Sequence, residues 1–141
     1  MTNSTTVRFV DTNVLLYTVS TEPSEQVKRE IANELLASRD LALSVQVLQE
    51  FYVQATRSSR EDALTPRQAA DLVTSFARFP VQPTTVELVQ AAMSARERFG
   101  VSYWDAAILE AARLLGCTEV LSEDLSHGRD YDGTMVINPF R

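Results

Sequence analysis

The chain has 141 residues, 45% of them hydrophobic and 23% charged; these proportions fit one globular domain over 1–141 and exclude fibrous, low-complexity and disordered classes. Thirteen basic residues against 19 acidic ones leave a net charge of −6, which excludes capture of nucleic acid by bulk attraction. A specific phosphate contact stays open, because Lys28 is the only lysine and the other basic residues are arginine, whose planar fork binds phosphate in bidentate fashion.

Met1–Thr6 is polar and carries no charged-then-apolar leader, and no stretch of the chain reaches membrane length, so a soluble cytoplasmic protein is expected. Residues 7–11 predict a buried strand ending in Asp11, followed by a short helix through Val14, Leu15 and Leu16. From Pro23 to Ser38 the spacing of Val27, Ile31 and Leu35 predicts an amphipathic helix. Leu41–Ser44 reads as a second strand, with Ser44 able to cap a helix marked by Leu48, Phe51, Tyr52 and Ala55. That helix runs into the polar segment Arg57–Asp62, in which Arg57 and Arg60 suit either a solvated face or a contact to phosphates or an acidic partner.

Thr65, Pro66 and Gln68 mark a helix start, and the helix is expected to reach Phe79. Val81-Gln82, between two prolines, allows only a brief strand. Thr84 and Glu87 predict a capping box opening a helix to Phe99, which Gly100 ends. These two helices are expected to form a hairpin beside the sheet. Ser102 and Asp105 form another box, and Trp104, Ile108, Ala111 and Leu115 predict the buried stripe of a helix closed by Gly116. Cys117, the single cysteine, has no partner for an internal disulfide and no metal-ligand spacing around it, so it reads as a small buried apolar residue. A strand at 118–122, a polar loop from Glu123 to Gly133 holding the only histidine, His127, and a final edge strand Thr134–Ile137 complete the chain. Strands alternating with helices predict an α/β fold with a parallel sheet covered on both faces.

Asp11 and Asp124 each follow an apolar run, and parallel strands place such positions along one edge of a sheet, where ligands bind in α/β folds. Glu50 on the third helix and Asp105 at a helix start could join them. Each has a local alternative: Asp11 as a helix cap, Glu50 as a solvated residue off the apolar stripe, Asp105 as part of its capping box, Asp124 as a turn residue. Carboxylates packed together raise one another's pKa, so a stable ionised cluster requires a divalent cation. With no His or Cys cluster, an all-oxygen ligand set suits Mg²⁺ or Mn²⁺.

Phe9-Val10-Asp11-Thr12-Asn13-Val14-Leu15, Gln49-Glu50-Phe51, Tyr103-Trp104-Asp105-Ala106-Ala107-Ile108 and Leu121-Ser122-Glu123-Asp124 together resemble the PIN domain family, and within it the short VapC-type toxins of toxin–antitoxin pairs. The resemblance covers essentially the whole chain. It implies a three-layer α/β/α sandwich with a mostly parallel central sheet. It implies metal-binding and catalytic roles for Asp11, Glu50, Asp105 and Asp124, with Asn13 and Ser122 as polar supports and Asp132 as the reserve for the fourth acid. It further implies an endoribonuclease that hydrolyses RNA phosphodiesters by a metal-activated water, leaving a 5′-phosphate and a 3′-hydroxyl. A homodimer and an inhibitory antitoxin are the implied partners. Two other readings use the same residues: a PIN-fold binding module without catalysis, and a phosphoaspartyl phosphatase or receiver-like module with Asp11 as nucleophile. Trp104 and Phe51 read as core residues rather than base-stacking platforms, and His127 as an exposed loop residue.

Overall fold

A strand of three or four residues persists only when its neighbours cover it, and the computed structural model, which describes residues 7–141, shows how these are covered. β1 (Arg8–Val10), β2 (Leu41–Ser44), β3 (Val81–Gln82), β4 (Glu119–Leu121), β5 (Asp130–Tyr131) and β6 (Thr134–Ile137) form one sheet in the order β3-β2-β1-β4-β6-β5. All pairings are parallel except that of β5 with β6. At the centre, Phe9 stands opposite Ala42 on one side and Val120 on the other, and all three are wholly buried. Continuous rather than alternating burial along β2 is the pattern of a sheet covered on both faces.

The covering helices are α1 (Thr12–Thr18), α2 (Gln26–Leu36), α3 (Val45–Ala55), α4 (Pro66–Phe76), α5 (Val86–Phe99) and α6 (Tyr103–Leu114). The result is a three-layer α/β/α sandwich. Local signals set several ends: Ser44 Oγ accepts from the Val47 amide, Thr65 and Gln68 close a capping box, and Gly100 ends α5 with a left-handed φ of 67°. In the core, Phe51 meets Phe76 edge to face at 5.0 Å between ring centroids, an arrangement favoured by the ring quadrupoles. Cys117 is buried as expected.

The connectivity positions the site. From β1 the chain steps outward to β2 and β3, then returns so that β4 lies on the opposite side of β1. A crevice therefore opens between the carboxyl ends of β1 and β4, the topological switch point of the sheet. The order also differs from the 2-1-3-4-5 of receiver-like folds, so the receiver-like form of the second alternative does not fit.

Several expectations are corrected. β6 lies inside the sheet, and the edge is β5, which arises because Asp132-Gly133 turns the chain into a hairpin with φ of 55° and 99°; an Asp-Gly pair favours that turn. The cap of α5 is Thr85, whose hydroxyl accepts from the Leu88 amide, not Thr84. α4 packs on α3 and α5 on α6, so the two central helices form no hairpin of their own. On α3 the wholly buried stripe is Val47, Phe51 and Ala55, while Tyr52 is exposed. Val27 is 68% exposed, because α2 turns Ala32 inward. Trp104 is 63% exposed and belongs to the surface, not to the core of α6.

Candidate active site

Asp11 follows β1 directly and caps α1, its Oδ1 accepting from the Thr12 amide at 2.7 Å. Its Oδ2 faces across the crevice and accepts from Ser122 Oγ at 2.7 Å and Asn13 Nδ2 at 3.3 Å. Ser122, at the end of β4, is wholly buried, and its hydroxyl also accepts from the amides of Asp124 and Leu125. It therefore ties the loop after β4 to the first acid. Asn13 extends the tie: Nδ2 donates to Asp124 Oδ2 at 3.2 Å, and Oδ1 accepts from the Glu123 amide at 3.1 Å.

The other two acids come from helices. Thr12 Oγ1 donates to Glu50 Oε1 at 2.7 Å, and Gln46 Nε2 approaches Glu50 Oε2 at 3.4 Å while also donating to the Trp104 carbonyl at 3.3 Å. Gln46, Glu50 and Gln54, spaced four apart, line the cleft from α3. The burial of Val47 and Phe51 turns this row toward the crevice rather than to open solvent. Asp105 stands in the first turn of α6, where the helix dipole favours an anion. Ser102 Oγ accepts from the Asp105 amide, but the Asp105 carboxylate does not return to the Ser102 amide as Gln68 does for Thr65. The box is half formed and the carboxylate is left to the cleft.

Asp11, Glu50, Asp105 and Asp124 thus line one cleft of about 140 Å³, with Thr12, Asn13, Gln46 and Trp104 around them. Asp132 does not: it occupies the β5–β6 turn and pairs with Arg98 at 3.2 Å. His127 is exposed, its Nδ1 accepting from the Asn138 amide. Thr12, Gln46, Gln54 and the lip residue Trp104 are participants that the sequence reading missed. A polar row four apart through Glu50 was the available signal for the two glutamines.

Electrostatically the cleft is under load. Burial pushes the Asp11 carboxyl up to about 6, against the opposing hydrogen bonds from Ser122 and the Thr12 amide, and the charges of Asp124 and Glu50 add to the rise. Burial likewise raises Asp105; the Ser102 hydroxyl opposes this, and Asp124 and Glu50 reinforce it. None of the four acids forms an ion pair among the described residues. Nor do any three acids, histidines or cysteines among those residues stand close enough to form a ready-made ion cage. Beside them, Glu123 is held by Lys28 Nζ and the Tyr17 hydroxyl, and these bonds outweigh partial burial to keep its carboxyl below the usual range.

The model of the PIN domain matches residues 8–129, a span that contains all four motifs. The chain belongs to the PIN domain family. Solved structures agree on the fold. A chain of a toxin–antitoxin complex from Klebsiella pneumoniae is 19% identical, with a TM-score of 0.67 over 94% of this chain and 97% of that one. VapC20 of Mycobacterium tuberculosis, a toxin that cleaves the sarcin–ricin loop, is 22% identical, with a TM-score of 0.64 over 83% and 91%. A chain of the DNA-bound VapBC complex of Salmonella typhimurium is 20% identical, with a TM-score of 0.64 over 94% and 97%. Comparison with curated protein sequences yields no match. Among the described residues of this PIN domain, no helix is long and apolar enough to cross a membrane.

Proposed function

We propose that this PIN domain is a metal-dependent endoribonuclease and the toxin of a toxin–antitoxin pair. The observation that carries the reading is the convergence of four carboxylates, without one cationic partner among the described residues, in a cleft at the switch point of the sheet. Two of the four sit above their ordinary pKa, a cost that a bound cation would offset. The donor set fits a hard divalent ion: every side chain available is an oxygen donor, and Mg²⁺ or Mn²⁺ prefers such ligands. Asp11, Glu50, Asp105 and Asp124 would hold it. When bound, the ion supplies activation of water and neutralisation of charge on the phosphodiester.

The remaining work falls to the chain. Ser122 and Asn13 orient Asp11 and Asp124 together, tying the start of α1 to the loop after β4. Thr12 and Gln46 hold the two oxygens of Glu50. An RNA phosphodiester entering the cleft meets three carboxylates, Asp11, Asp124 and Glu50, already oriented by these hydrogen bonds, which lowers the ordering cost of the reaction. The expected products are a 5′-phosphate and a 3′-hydroxyl. The likeness to chains of toxin–antitoxin complexes supports an antitoxin as partner, and the homodimer is carried over from the family resemblance alone.

The test is cleavage of total RNA by the purified chain in Mn²⁺ or Mg²⁺. Activity should vanish in excess EDTA and in Asp11→Asn, with the variant still folded. Undiminished cleavage under either condition defeats the proposal. Growth arrest on expression, relieved by the product of a small adjacent reading frame, tests the toxin assignment separately.

A further inference from the structure

A second notch adjoins the acid cleft and shares Asn13, Leu16 and Asp124 with it; its other lining residues are Tyr17, Glu25, Arg60 and Glu123, around about 200 Å³. We infer that this notch is a phosphate subsite for the RNA strand, with the Arg60 guanidinium as its ligand for a phosphodiester next to the one held in the acid cleft. The inference rests on the nuclease reading above and names a binding residue that reading does not contain.

Arg60 is built into place. The loop after α3 is clipped to the α1–α2 connection by Asp62, whose Oδ2 accepts from the Thr21 amide at 2.9 Å. The other oxygen, Oδ1, accepts from Arg60 Nε at 3.2 Å. Asp62 is nearly buried, with its side chain 8% exposed, while that of Arg60 is 26% exposed. One edge of the guanidinium is therefore fixed. Its two terminal nitrogens make no hydrogen bond among the described residues, and they are the pair that grips two oxygens of a phosphate.

Three carboxylates line the same notch, and each has its own partner. Glu123 is engaged by Lys28 and Tyr17, Glu25 accepts from Ser20 Oγ, and Asp124 accepts from Asn13 Nδ2. Arg60 pairs with none of these three; its ion pair with Asp62 runs through Nε alone, which leaves the two terminal nitrogens for a ligand in the notch. Leu16 and Tyr17, both half-buried, form an apolar wall against which a ribose or base can rest. A chain of net charge −6 that must admit a polyanion beside four carboxylates needs a local cation at the path of the strand. Continuity of the two spaces through Asn13, Leu16 and Asp124 favours a strand crossing both over an acidic protein segment.

The experiment measures binding of a short fluorescent oligouridylate in Mn²⁺ by an uncleaving Asp11→Asn chain, alone and combined with Arg60→Gln or Arg60→Lys, over a series of salt concentrations. Arg60→Gln should weaken binding about tenfold, as loss of hydrogen bonds to a charged group does, and reduce the slope of log affinity against log salt by about 0.7, the value for one phosphate contact on a single strand. Arg60→Lys should keep the slope and recover only part of the affinity. In cleavage assays with Asp11 intact, Arg60→Gln should raise KM more than it lowers kcat. Thermal melts check that the loop clip survives, since a folding defect alone leaves the salt slope unchanged. An unaltered slope in Arg60→Gln overturns the inference, as does a total failure of the Asp11→Asn chain to bind oligouridylate. Loss of oligoglutamate binding without change toward RNA would assign Arg60 to an acidic protein partner and equally overturn it. The nuclease reading is judged apart from all of these, by cleavage and its inhibition by EDTA.

Discussion

Asp11→Asn should make the metal-free protein relatively more stable as pH rises, and the structure sets how much. The carboxyl is lifted from an ordinary 3.8 to about 6, chiefly by burial. Between those values the folded chain binds more protons at this group than the unfolded chain does. Stability contributed by the group is therefore fully present below about 3.8 and is lost as pH rises through about 6. At about 1.4 kcal/mol per tenfold the whole span is worth about 3 kcal/mol, of which roughly 2 to 3 falls between pH 4 and pH 7.5. Asparagine does not titrate and escapes that loss. It does bring an amide toward Asn13 Nδ2 and the Ser122 hydroxyl, both of which now donate to Asp11 Oδ2, at a pH-independent cost of about 1 to 3 kcal/mol. The decisive quantity is thus the change with pH in the difference between the two proteins. Urea unfolding in EDTA at about pH 4 and pH 7.5 should show that difference moving by roughly 2 to 3 kcal/mol in favour of the variant. Parallel pH dependences would refute the claim that a buried, unpaired charge sits at this position. With saturating Mn²⁺ the order should reverse, because an ion bound only by the native wild-type chain adds about 2.7 kcal/mol at a hundredfold excess over its Kd.

Four further outcomes follow from the same geometry. Proton release on Mn²⁺ binding, followed by calorimetry in buffers of different ionisation enthalpy, should be larger near pH 5.5 than near pH 8, since Asp11 is partly protonated at the lower pH. Ser122→Ala removes the donor to Asp11 and the acceptor for the Asp124 and Leu125 amides; it should cost about 2 kcal/mol in urea unfolding and move the acid limb of the pH–rate profile upward. Trp104→Ala, at an exposed lip position, should change stability by less than about 0.5 kcal/mol, and a larger loss would show that the ring packs in the fold after all. Phe51→Ala, at a wholly buried site against Phe76, should cost about 3 to 5 kcal/mol, measured by the same unfolding curves.

What could be read from residues alone was whatever depends on near neighbours. Asp11 at the end of an apolar run, Ser44 and Thr65 as caps, Gly100 as a stop and the alternation of strands with helices are local facts, and the structure repeats them. So is the order of the four acidic motifs. Errors arose where a residue's fate depends on what packs against it. Trp104 shares a helical stripe with Ile108, yet its ring lies at the lip of the cleft and stays largely in solvent. Glu50 lies off the apolar stripe of α3 and reads as solvated; only the placement of α1 beside α3 brings Thr12 to its carboxylate. The Asp-Gly pair at 132–133 was a turn signal in plain view, but its use in making β5 the sheet edge depends on β6 pairing with β4. Sequence determined which side chains carry charge and which segments are strand or helix, because those choices are made over a few residues. Tertiary structure alone decided that β4 returns beside β1, and with it that carboxylates from four separate segments share one cleft, because strand order is set by long-range burial rather than by any local preference.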